Sequence, residues 1–139
     1  ELMEVMKYSI KNGYSFAWAS DVSEKGFARG EGVAVVPEDD TKLTEALKKP
    51  MAEKSITQEM RQIAYDNWET TDDHGMHIYG LAHDQNGTKY FMVKNSWGET
   101  GKYKGVWYAS DAFVRYKTLN IVVHKDALPK DIKKKLGIK

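Results

Sequence analysis

Met76-His77-Ile78-Tyr79-Gly80-Leu81-Ala82-His83, then Asp84-Gln85-Asn86-Gly87, then Lys89-Tyr90-Phe91-Met92-Val93-Lys94-Asn95, carries the clearest structural instruction in the chain. Two runs of aliphatic and aromatic residues flank an Asn-Gly pair, which predicts an antiparallel hairpin with strands over 76–83 and 89–95. Downstream, a Gly-rich loop over 98–105 leads into Val106-Trp107-Tyr108, a third strand. Ser110 is placed to cap a helical turn over 111–116, and 120–124 reads as a last strand. Pro129 opens a short terminal helix and Gly137 ends it.

Upstream the signals are mixed. Leu2, Val5, Met6 and Ile10 recur near helical spacing until Asn12-Gly13. The aromatic run 14–19 reads as a buried strand followed by polar Ser20-Asp21. Residues 26–32 form a loop, and Val33 to Val36 ends at Pro37. The charge-rich stretch 38–54 is a surface excursion with a short helix over 43–48. Ser55 with Gln58 three residues on is a capping-box pattern, and Ile56, Met60, Ile63 and Ala64 then keep helical spacing as far as Asn67. The expected class is α+β, a mainly antiparallel sheet with helices at its edges.

Composition narrows the function classes. Among 139 residues, 41% are hydrophobic and 29% charged, outside the range of disordered tails and membrane proteins. Lys plus Arg number 21 against 20 Asp plus Glu, so a net charge of +1 gives no general attraction to polyanions. Six lysines cluster over 125–139 beside Asp126 and Asp131. A solvated helix face is the default reading and a nucleic-acid contact the minor one. There is no cysteine, which removes disulfides, thiolate metal sites and a cysteine nucleophile from these residues. No apolar run approaches the roughly 18 residues of a membrane span.

Three of four histidines fall within ten positions: His74, His77 and His83. On one strand His77 and His83 share a face and His74 takes the other, a poor arrangement for a three-histidine metal site, so no metal or cofactor is expected. His74 stands apart because it sits at a loop-to-strand boundary with Gly75 leaving room beside it. Asn95, across the hairpin, is placed to accept a hydrogen bond from an imidazole N–H and so orient a base, and Trp97 to cover that bond. The alternatives at this point are a turn asparagine and a core tryptophan.

Asp73-His74-Gly75-Met76-His77-Ile78-Tyr79-Gly80, followed by Tyr90-Phe91-Met92-Val93-Lys94-Asn95-Ser96-Trp97-Gly98, resembles the histidine and asparagine blocks of papain-like cysteine peptidases. Within that family (C1) the resemblance is to the bleomycin hydrolase and aminopeptidase C branch. It extends through Ser9-Ile10-Lys11-Asn12-Gly13, the Asp21-Val22 turn, Gly105-Val106-Trp107-Tyr108 and the closing run Asn120 to Lys125. It covers nearly the whole chain but only about the C-terminal third of such an enzyme.

The resemblance implies the barrel-like, sheet-rich half of a papain-like fold over residues 1–139, with the cysteine-bearing part elsewhere in the protein. It makes His74 the general base and ion-pair partner of the thiolate, Asn95 the residue that holds the imidazole, and Trp97 the shield. It implies a cysteine peptidase, an aminopeptidase by branch, acting on peptides once the N-terminal part of the same enzyme supplies the thiol. A homo-hexamer, a cytoplasmic location with export left open, and no membrane partner follow by the same analogy. The tail after Leu128 is shorter than the branch's C-terminal arm, which leaves dipeptidyl or endopeptidase modes open. The alternative class is an inactive relative serving as a peptide-binding or structural module.

Overall fold

The computed structural model describes residues 1–139. Helix α1 (Leu2–Lys11) leads to β1 (Phe16–Ser20), then two short strands, β2 (Phe27–Ala28) and β3 (Val33–Ala34). Helix α2 (Leu43–Ala46) lies in the 38–54 excursion, and α3 (Gln58–Asp66) precedes the long strand β4 (His74–His83). After β4 come β5 (Lys89–Lys94), β6 (Val106–Ser110), α4 (Asp111–Lys117), β7 (Thr118–Val122) and α5 (Lys130–Leu136). The strands form one sheet in the order β2-β3-β6-β5-β4-β1-β7. Every pairing is antiparallel except β3 with β6. The α+β class with peripheral helices is what the sequence predicts.

Alternation builds the core. Phe16 and Trp18 of β1, Met76 and Ile78 of β4, Phe91 and Val93 of β5, and Trp107 and Ala109 of β6 bury one face of the sheet. Met3 and Met6 of α1 and Phe113 and Val114 of α4 pack into the same cluster. Interior aromatics of this kind cost about 3–5 kcal/mol when cut to alanine, so this core face of the sheet is firmly held. In α1 the buried stripe is Met3, Val5, Met6 and Ser9, whereas the predicted Leu2 and Ile10 are only partly buried. Ser9 is tolerated because its hydroxyl reaches Val5 O at 2.8 Å and Ala127 O at 3.1 Å.

Several expected boundaries move, each for a local reason. Helix α3 starts at Gln58 and not at Ser55, because Thr57 in extended backbone accepts from Met60 N and is the cap. Ser20 and Asp21, expected as polar residues beyond the strand, are 0% and 2% exposed and fully hydrogen-bonded. Strand β7 begins at Thr118, two residues early, where Trp18 Nε1 donates to Thr118 Oγ1 at 2.8 Å. Its expected last residue, His124, instead caps a 3-10 turn through Asp126 N.

The facing of the histidines is also corrected. In β4 the register slips between Ile78, opposite Val93, and Gly80, opposite Met92, so Tyr79 is the extra residue of a bulge. Beyond it Leu81 pairs with buried Phe91, and the alternation is reversed. His77 and His83 therefore do not share a face; His83 falls in phase with Leu81, on the face that also carries His74.

Candidate active site

His74 opens β4 opposite Ser20 of β1, in line with Met76 and Ile78 on the core face but at the sheet's end, where it is half buried. A Cβ added at Gly75 would meet nothing within 4 Å, but it would project from the opposite face of β4 to the His74 ring. The approach to His74 is tied down by carboxylates. Asp73 accepts from Val22 N at 2.9 Å, Ser23 N at 3.2 Å and Ser23 Oγ at 2.6 Å. Asp21 accepts in turn from Ser23 N at 3.0 Å and Thr71 N at 2.8 Å. Burial works to raise the Asp73 pKa, but these hydrogen bonds together outweigh it and hold the carboxyl below its ordinary value. Residues 21–23 and 71–73 are thus laced together beside the imidazole.

A second anchor lies behind that lacing. Lys117, 2% exposed, ends α4 with its ammonium on Glu69 O at 3.2 Å, Thr70 Oγ1 at 3.0 Å and Glu24 Oε1 at 2.6 Å. All three hydrogens have acceptors, the condition under which a buried charge is tolerated. Its own carbonyl takes Asp21 N at 3.2 Å and Ser20 Oγ at 3.0 Å.

Asn95 follows β5 and is 3% exposed. Its backbone N–H donates to Gly105 O at 3.0 Å, closing the 98–105 loop. Gly105 has φ +84, and a Cβ there would lie 2.2 Å from Gly98 O, so the closure requires glycine. The Asn95 side chain meets His74, with Oδ1 2.7 Å from Nε2. The same Oδ1 accepts from Ser96 N at 2.7 Å. An amide N–H needs an acceptor, so Ser96 fixes which end of the amide is oxygen, and that oxygen makes His74 Nε2 the donor. In the neutral ring Nδ1 then keeps its lone pair and is the basic nitrogen. The orientation has a cost, since Asn95 Nδ2 is buried without a partner.

Trp97 lies against the imidazole, its ring centroid 4.7 Å from that of His74 at 28°. It packs edge-on against Phe27 at 6.3 Å and Trp107 at 5.7 Å, so the core sets its plane. The three residues singled out in the sequence are brought into one contact set, while His77 and His83 stay out of it. Spacing did not expose Asp21, Asp73, Lys117 or Arg29, whose guanidinium carbon stands 4.5 Å from the Trp97 ring centroid. The Asp next to His74 was the one available signal, but its partners lie fifty residues upstream.

The arrangement holds a half-buried imidazole with one nitrogen fixed by Asn95, the other without a hydrogen bond, and one ring face against Trp97. It contains no thiol, as the chain has no cysteine. Comparison with known proteins gives consistent results. A family model described as the Peptidase C1-like family matches residues 1–138. Aminopeptidase C of Lactobacillus helveticus is 35% identical over 69 residues, 50% of this chain and 15% of that protein. The crystal structure of PepW from Lactobacillus rhamnosis superposes with a TM-score of 0.67 at 24% identity, over 96% of this chain and 29% of that one. Bromelain from Ananas comosus, solved with the E64 inhibitor, gives 0.49 at 18% identity over 87% and 45%. The match thus covers 15% of the Lactobacillus helveticus protein and 29% of PepW, so the chain spans less than a third of these bacterial relatives, and its fold is papain-like.

Proposed function

The chain belongs to the Peptidase C1-like family, and from that premise we propose that it carries the histidine and asparagine of a cysteine aminopeptidase whose thiol lies on another segment of the full-length protein. The observation that carries this reading is the His74 Nε2 to Asn95 Oδ1 contact at 2.7 Å, with Oδ1 fixed by Ser96 N. It leaves Nδ1 to take a proton from a thiol. The resulting imidazolium stabilises the thiolate electrostatically, and the pair is the reactive form.

The thiolate attacks the peptide carbonyl carbon, and the electron pair of the C=O moves onto oxygen. When the tetrahedral intermediate collapses, Nδ1–H delivers its proton to the leaving amine and an acyl-thioester remains. A water, deprotonated by Nδ1, then attacks the thioester and restores the thiol. Asn95 keeps the ring plane and tautomer constant through both steps, and Trp97 keeps water away from the hydrogen bond that does so. Aminopeptidase mode is supported by the Lactobacillus relative; a hexameric assembly rests on the same kinship and is part of the proposal.

The test uses the full-length gene product with an aminoacyl anilide and a thiol-directed inhibitor. His74→Ala should lower kcat/KM by at least about 10³-fold and abolish inhibitor labelling. Asn95→Ala should cost less, on the order of 10–100-fold, because it orients the base without transferring the proton. Activity that survives His74→Ala refutes the assignment. A parent protein that neither labels nor hydrolyses, yet binds peptide, is the inactive module instead.

A further inference from the structure

Arg29 is exposed, and its guanidinium has no carboxylate partner, unlike Arg115, which pairs with Asp111. Its position is nonetheless built. Gly32 N closes a turn on Ala28 O at 2.9 Å, and Lys102 N donates to Gly30 O at 3.1 Å. Gly101, at φ +72, backs so closely on the turn after β2 that a Cβ would stand 2.7 Å from Arg29 O. Phe27, two residues before Arg29 and buried, touches both Trp97 and Trp107. Two glycine loops and a buried phenylalanine therefore hold the Arg29 backbone beside Trp97, and the guanidinium lies over the indole.

Contact with an indole ring satisfies none of a guanidinium's N–H groups, and the Arg29 side chain makes no hydrogen bond or ion pair, so its fork is available to a carboxylate. The indole that carries Arg29 also lies against His74. On the reading above, on which this inference rests, His74 Nδ1–H protonates the leaving amine, so the departing peptide forms beside Trp97. The chemistry that fits a free, oriented guanidinium there is the C-terminal carboxylate of a short leaving peptide. We propose that Arg29 is a specificity residue on the leaving-group side, which selects short peptides ending in a free carboxylate over otherwise identical amides. No covalent step changes; the carboxylate is held while the amine departs.

The experiment compares the full-length protein on two tripeptides of one sequence, one a C-terminal acid and the other its carboxamide. The parent should prefer the acid by about 10-fold in kcat/KM, an effect that shrinks as salt is raised. Arg29→Gln should bring the acid-to-amide ratio near 1, and Arg29→Lys should leave it intermediate, since a point charge keeps the attraction and loses the fork. A parent ratio near 1, or a ratio that Arg29→Gln leaves intact, overturns the inference. If the anilide is hydrolysed in those cases, the proposed function stands without it. A parent that hydrolyses neither tripeptide nor anilide overturns both.

Discussion

Strand β4 is bracketed by two aspartates with the same chemistry and different reach. Asp73, before its first residue, and Asp84, after its last, each accept three hydrogen bonds, and in each case those bonds outweigh burial and hold the carboxyl below its ordinary value. Asp84 takes Asn86 N at 2.8 Å, Thr88 N at 2.9 Å and Tyr90 Oη at 3.3 Å, all within six residues. The partners of Asp73 lie about fifty residues away. One carboxylate shapes its own turn; the other joins two distant segments next to His74. The same bond count thus serves local geometry at one end and long-range positioning at the other.

The contrast predicts different readouts. Asp73→Ala should lower kcat/KM of the full-length protein by about 10–100-fold, because the segment entering His74 loses its tether and an error of about 1 Å at a base has that cost. Asp84→Ala should leave kcat/KM within about twofold and loosen only the hairpin. Acid should expose both. A carboxyl with a depressed folded pKa adds stability above its unfolded value, and that contribution is lost as pH falls through the folded one. The parent's thermal midpoint should thus fall more steeply in acid than that of either variant. Equal kinetic losses from the two alanines would erase the distinction.

The legible parts of the sequence were those written locally. The hairpin, the Ser110 cap and the Gly137 stop depend on neighbours within a few residues, and each is observed. The hairpin spacing offered His74 and Asn95 only as a candidate pair, with a turn asparagine and a core tryptophan as the alternatives; the resemblance to papain-like peptidases singled out all three, and the structure brings them into contact. The Tyr79 bulge was not legible, since a one-residue slip has no strong local signature, and it reversed the facing of His83. The tethers to Asp73 and Lys117 and the placement of Arg29 were hidden for another reason. They depend on which loops the sheet order brings together, and single residues do not encode that order.

The turn at the Asp84 end supplies the next test. Asn-Gly signals a two-residue turn with both residues at positive φ. Here only Gly87 is left-handed, at φ +83, and Gly87 N returns to Asp84 O at 3.0 Å. Asn86 contributes its backbone N–H to Asp84, which any residue but proline supplies. A Cβ at Gly87 would meet no neighbour within 4 Å, so Gly87→Ala costs the left-handed backbone alone, about 1–2 kcal/mol. Asn86→Ala should stay within a few tenths of a kcal/mol. Hydrogen exchange at the β4–β5 amides reads both: faster for Gly87→Ala, unchanged for Asn86→Ala. Comparable acceleration in the two would mean that the asparagine holds the turn.

The smallest expected effect tests whether the two ends are electrostatically separate. Glu53 caps Val36 N at 3.0 Å, and its pKa is raised, first by burial and then by the charges of Asp111 and Asp84. A carboxyl with a raised folded pKa stabilises below its unfolded value and loses that contribution as pH rises through the folded one, so at neutral pH its charge is a cost. Glu53→Gln keeps the acceptor for Val36 N and removes the charge. The thermal midpoint at pH 7 should rise by about 1 °C, corresponding to a few tenths of a kcal/mol, and the gain should vanish in acid, where Glu53 is protonated. Because Asp84 is one source of the repulsion, the gain should shrink in an Asp84→Asn background. Asp73 does not contribute to it, so an Asp73→Asn background should leave the gain whole. A gain that Asp73→Asn cancels as strongly as Asp84→Asn would show that charge couples the two ends of β4, and their separation into a local turn and a long-range tether would fail.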